Sequence, residues 1–115
     1  MSGLATGWIE VIRAPQVKDH GALYFDWDNA EDPRRIEDCI VSAGPSQENN
    51  DRQNAELILY SVQAPWGADI KATDKVRVYL EPDLDLAVEG RPRPVVSPSG
   101  NLNHTELELR DWKVS

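Results

Sequence analysis

Lys75-Val76-Arg77-Val78-Tyr79-Leu80-Glu81-Pro82-Asp83-Leu84-Asp85-Leu86-Ala87-Val88-Glu89 is the stretch on which the fold turns. Val76, Val78 and Leu80 alternate with Lys75, Arg77 and Tyr79, at the period of two with which strand side chains change face. Leu84, Leu86 and Val88 continue the alternation against Asp85 and Glu89 until Gly90. Pro82 and Asp83, between the two runs, are turn formers: proline presets φ and aspartate bonds its own backbone. Two alternating runs about a short turn predict an antiparallel hairpin with Val76, Val78 and Leu80 facing a core.

The same signature recurs on both sides. Downstream, Arg91-Pro92-Arg93-Pro94 lacks two ladder donors and reads as extended, edge-like or looped. Ser97 to Asn101 is a turn, and Thr105 to Trp112 closes the chain as a strand. Leu107, Leu109 and Trp112 are assigned there to the core, and Glu106, Glu108 and Arg110 to the outside. Upstream, Trp66 to Asp74 is a turn region after Pro65. Ala55 to Ala64 is a strand with Leu57 and Leu59 on one face and Glu56, Ile58 and Tyr60 on the other. Ile36 to Ala43 is a strand whose imperfect alternation calls for a bulge or two covered faces. Trp8 to Arg13 opens the fold, Lys18 to Gly21 is a polar turn, Ala22 to Trp27 is a compact aromatic run, and Asp26 to Arg35 is a charged loop.

Gly44 to Asn54 stands apart. Pro45, Ser46, Gln47, Glu48, Asn49, Asn50, Asp51 and Arg52 include no large apolar side chain. The segment is too polar to pack and too long for a tight hairpin, so it reads as a mobile loop. Short strands separated by regular turn signals, with 8 prolines in 115 residues, define a mainly β chain. That pattern fits a small sandwich or barrel; of the two, the expected architecture is one small β-barrel domain over residues 1–115 carrying a long polar loop at 44–54.

A formal net charge of −8 repels nucleic acid and anionic membranes, so a specific DNA or RNA binder is not expected. It suits a surface past which nucleic acid slides. No apolar run approaches the roughly 20 residues that span a bilayer. Met1 to Trp8 lacks a signal-peptide pattern, so maturation in a cytoplasm-like compartment is expected. Cys39 is the one cysteine and His20 and His104 the two histidines. Cys39 reads as a small buried apolar residue. His104 reads as solvated, because Thr105 beside it faces the other way and no nucleophile, base and orienting group converge. Asp26 with Asp28, and Asp83 with Asp85, lack the rest of a calcium loop. No catalytic residue, metal site or cofactor is expected.

From Cys39 to Trp112 the chain resembles the small head-to-tail stopper, or head-closure, proteins of long-tailed siphovirus-type phages, especially those infecting actinobacteria. The resemblance is carried by Cys39-Ile40-Val41-Ser42, the strand Glu56 to Tyr60, Ala64-Pro65-Trp66-Gly67-Ala68-Asp69-Ile70 and Ala72-Thr73-Asp74-Lys75-Val76-Arg77-Val78. Val88-Glu89-Gly90-Arg91-Pro92, Ser97-Pro98 and Leu107 to Trp112 follow in order. It departs at Leu80 to Asp85, where relatives carry a glycine-containing turn and a tyrosine, and in its long acidic front end through Arg35. The resemblance implies a structural virion protein of the phage neck, in a hexameric ring with the head-to-tail adaptor above and the tail terminator below. Such a ring closes the DNA-filled head, offers the tail a docking surface, and later passes genomic DNA without reading its sequence. Ser46 to Arg52 then becomes the candidate channel plug, and Trp27, Trp66, Arg91 and Arg93 candidate inter-subunit contacts. A tail terminator or other neck subunit is the nearest alternative. From another class, a cytoplasmic β-barrel that binds a small ligand or peptide remains open.

Overall fold

A computed structural model of the chain describes residues 7–45, 57–100 and 103–113. Eight strands run in the order β1 (Gly7–Ile12), β2 (Gln16–Asp19), β3 (Ala22–Phe25), β4 (Arg34–Ala43), β5 (Ile58–Pro65), β6 (Lys75–Val78), β7 (Glu81–Val95) and β8 (His104–Asp111), with a 3-10 turn at Trp27–Asn29. Six of them close a barrel in the order β1-β4-β5-β8-β7-β6, and β2 with β3 forms a separate two-stranded sheet. Every barrel pairing is antiparallel. The mainly β class and the single small barrel are therefore as the sequence predicts.

Alternation builds the core. Ile9, Val11, Cys39, Val62, Val76, Val78, Leu86, Val88, Leu107 and Leu109 fill the barrel, each 4% exposed or less. Leu86 and Val76 meet across the β6–β7 pair, and Val88 and Leu109 across β7–β8, so each strand contributes knobs to the same interior. In β5 the inward face belongs to Ile58, Val62 and Ala64, whereas Leu57 and Leu59 are 40% and 39% exposed.

Three departures have local causes. The β6–β7 turn falls at Tyr79-Leu80, because Val78 already pairs with Glu81; Pro82 and Asp83 lie inside β7. Leu80, expected inside, is 51% exposed since alternation carries no meaning beyond the last ladder pair. The front segment read as a turn plus an aromatic run is a hairpin, with Gln16 opposite Phe25 and Asp19 opposite Ala22. His20 and Gly21 connect it at φ 52 and 83, the doubly positive geometry that matches strand twist in two-residue turns. The charged loop after it ends early, at Pro33, because β4 begins at Arg34.

Bulges account for the rest of the irregularity. Gly7 pairs with Cys39 and Ile9 with Ile36, so Glu37 and Asp38 together oppose Trp8, and Asp38 takes φ 60. This is the bulge that the broken alternation of Ile36 to Ala43 called for. In β7, pairing passes from Glu89 opposite Glu108 to Arg93 opposite Glu106. Gly90, at φ 72, with Arg91 and Pro92 makes the excursion, after which the Arg-Pro run resumes as ladder.

The path of the strands gives the barrel two different rims. β1, β5 and β7 end on one rim and β4, β6 and β8 begin there, so it carries residues 13–33, 66–74 and 96–100. The opposite rim carries the β4–β5 connection and the Tyr79-Leu80 turn. Gly44, at φ 81, leads the chain off β4 there, with its N–H on the Leu59 carbonyl at 2.8 Å. Ser46 to Asn54, the greater part of the expected polar loop, lies outside the described residues.

Candidate functional site

The first rim is organised by one arginine. Arg13 follows β1 and donates from Nε to Asp74 Oδ1 at 3.0 Å and from Nη2 to Asp74 Oδ2 at 2.8 Å. Asp74 is 1% exposed and also accepts the Lys71 backbone N–H at 2.8 Å. Arg13 further reaches Asp69, and Arg34 donates to the Asp69 carbonyl at 2.9 Å. Asp74 and Asp69 raise the Arg13 pKa, and Arg13 in turn holds the exposed Asp69 carboxyl below its ordinary range. The cluster ties loop 66–74 to the ends of β1 and β4. Its two arginines and two carboxylates balance one another, which leaves the rim as a cross-braced platform.

From that platform the β2–β3 hairpin stands out. Seven of its eight strand residues are exposed and Val17 is half-buried; Leu23, Tyr24 and Phe25 are 64%, 49% and 37% exposed. At its base is a hollow of about 520 Å³ lined by residues including Arg13, Pro15, Phe25, Glu31 and Lys71. Sequence reasoning recorded the aromatic run but not the projecting hairpin; a His-Gly pair between Asp19 and Ala22 was the available signal.

The predicted contact residues separate in the fold. Trp66 lies on the first rim, 51% exposed, as an anchor would. Trp27 is half-buried in the 3-10 turn, its ring edge-on to Trp112 with centroids 4.9 Å apart. Lys75 Nζ sits 4.6 Å from the Trp27 ring and 4.9 Å from the Trp112 ring, a cation held by two aromatic faces. Trp112, assigned above to the core, is thus a half-buried residue outside the barrel, because its strand ends at Asp111 and its N–H turns to the Asp85 carbonyl. Asp85, on the polar side of the alternation, is met by Lys75 and Arg77 at 3.6 and 2.8 Å. Burial pushes its carboxyl up, but the Arg77 hydrogen bond and the Lys75 charge outweigh this and leave it below the usual range.

Arg91 is exposed at the β7 excursion, whereas Arg93 Nη2 donates to Glu106 Oε1 at 3.0 Å. Glu106 and Glu108, expected to be solvated, are 6% and 4% exposed. They do point out of the barrel, where Glu106 is engaged by the Arg93 and His104 side chains. His104 Nε2 lies 3.1 Å from Glu106 Oε2 with its side chain 23% exposed, so it is a paired residue and not a solvated one. Two residues apart on one strand, the two share a face while Thr105 points inward. Arg93→Ala is expected to lower stability by about 1 kcal/mol by removing one of the two partners of a buried carboxylate, and Arg91→Ala by less than about 0.5 kcal/mol. Thermal unfolding of the two variants reads this difference; equal shifts would contradict the assignment.

Cys39 is fully buried, its Sγ donates to the Ile36 carbonyl at 3.4 Å, and burial pushes the thiol up to about 11. That makes it a core residue, as expected. Among the described residues no group of three or more metal-ligating side chains converges, and no helix is long and apolar enough to cross a membrane.

No family model matches the chain, and no curated protein matches it. The solution structure of protein SF1141 from Shigella flexneri 2a, a structural genomics target, is similar with a TM-score of 0.64, covering 98% of this chain and 97% of that one at 19% identity. The likeness is one of fold. It extends over nearly the whole of both chains, so the hairpin and both rims fall within the shared length.

Proposed function

We propose that the chain is a head-closure subunit of a phage neck, forming a ring below the portal and adaptor and above the tail terminator. The observation that carries this reading is a closed barrel with two differently equipped rims. A subunit inserted between two unlike rings must present a different surface to each, and closure lets the barrel do so without an exposed edge of its own. On one rim stand a charge-neutralised platform, the exposed Trp66 and the projecting hairpin. On the other the long β4–β5 connection departs. The net charge of −8 suits a wall past which DNA moves without adhering. The resemblance of Cys39 to Trp112 to stopper proteins supports the same role, with assembly in the host cytoplasm and residence in the virion.

The hollow at the hairpin base favours the alternative of a ligand- or peptide-binding barrel. Arg13 on its wall is already committed to Asp69 and Asp74, which leaves fewer free polar groups to orient a ligand. Mass spectrometry of purified tailed particles and of separated tails tests the neck reading. The chain is expected in the tailed particles and absent from tails that never joined a head; its absence from the particles would overturn the reading.

A further inference from the structure

The β2–β3 hairpin is carried on two arms that the barrel grips differently. The departing arm, Arg13-Ala14-Pro15, follows β1 directly and is clasped where Arg13 meets Asp74 and Asp69. The returning arm, 26–33, has no buried residue. Its N–H groups at Asp26 and Glu31 donate to the Pro15 and Arg13 carbonyls at 2.9 and 2.8 Å. Those bonds tie it to the departing arm and not to a barrel strand. An arm without buried apolar contacts sits at the low end of local stability, and a two-stranded hairpin adds little of its own. From this arm the Trp27 ring reaches across to the barrel.

The seat that receives Trp27 is assembled without it. Lys75 opens β6 and is fixed by its ladder partners Ile12 and Ala87, with Nζ 3.6 Å from Asp85 Oδ2. Trp112, one residue past the end of β8, donates its N–H to the Asp85 carbonyl at 3.1 Å. Asp85 thus holds both halves of the seat, one through its side chain and the other through its backbone. Trp27 meets Trp112 edge-on, with ring centroids 4.9 Å apart, and its ring lies 4.6 Å from the Lys75 ammonium. Each contact is weak by itself, which suits a strap that holds the arm and can release it.

We propose that the turn after the last strand is a strap for the hairpin. Trp112 and Lys75 are positioning residues that hold Trp27, and through it they set the angle at which the hairpin leaves the first rim. With the strap open, the hairpin swings about the Arg13 clasp while the barrel stays closed. The strap is a property of the fold and stands whether or not the chain serves in a neck.

The distance between two nitroxide labels tests it. Leu23 on the hairpin and Leu80 on the opposite rim are 64% and 51% exposed, so Leu23→Cys and Leu80→Cys accept labels, whereas the fully buried Cys39 does not. This labelled protein is expected to give one narrow distance distribution. Adding Trp27→Ala or Trp112→Ala is expected to broaden it to the same extent, and adding both to broaden it no further. Hydrogen exchange at the Asp26 and Glu31 amides is expected to quicken about fivefold or more, while core amides at Val76, Val88 and Leu107 stay protected. A narrow distribution kept in Trp112→Ala would overturn the strap, whatever happens to the unfolding temperature, because a residue that only adds stability leaves the hairpin where it was. A broad distribution already present without the tryptophan substitutions would overturn it too. Lys75→Met keeps an apolar stem and removes the charge, and it carries the same test should Trp112→Ala not fold. Broadening then supports the strap, and a distribution as narrow as before overturns it.

Discussion

Asp74→Ala is expected to destabilise the barrel by about 3 kcal/mol, because it removes the buried carboxylate of the pair and leaves Arg13 with only the exposed Asp69 as its partner. Asp74 is 1% exposed and accepts from Nε and Nη2 of Arg13, whose side chain is 20% exposed. Alanine would also leave the Lys71 N–H, now 2.8 Å from Oδ2, without its acceptor. For a domain of this size the loss corresponds to roughly 12 °C in unfolding temperature. Asp69→Ala is the control on the same arginine. Its side chain is 64% exposed, so the expected loss is far smaller than that of Asp74→Ala. Arg13 depresses the Asp69 carboxyl, so what Asp69 contributes is present above the ordinary carboxylate range and lost as pH falls through its lowered value. Similar large losses for both variants would show that the clasp is not centred on Asp74.

The contrast between Asp74 and Leu86 shows what the sequence could reveal. Leu86 sits in a run of alternating side chains, so its burial follows from period two alone, as does that of Val76, Val78, Leu107 and Leu109. Asp74 sits in a turn region without a period, and its partner Arg13 is 61 residues away in the chain. No local pattern joins them. Alternation likewise assigns Glu106 and Glu108 to the outer face correctly but says nothing of what covers that face. Leu80 continues a pattern past the ladder that gives it meaning. The hairpin was obscured because β2, Gln-Val-Lys-Asp, has one apolar residue and its exposed partner strand reads as a loose aromatic segment. Candidate contacts fared by the same rule. Trp66, in a turn formed by Pro65 and Gly67, stayed exposed; Trp27 and Arg93 found partners in sequence-distant strands or turns.

The resemblance carried by Cys39 to Trp112 and the two-rimmed barrel both support the proposal that this chain closes the head and receives the tail. Its loss is expected to have the largest effect of all, because a missing ring interrupts assembly instead of weakening one contact. Electron microscopy of particles made with the gene deleted and then restored tests this most directly. The account predicts free tails beside heads that packaged and then lost their DNA, with joined infectious particles returning on restoration. Normal, infectious particles in the absence of the protein would contradict it.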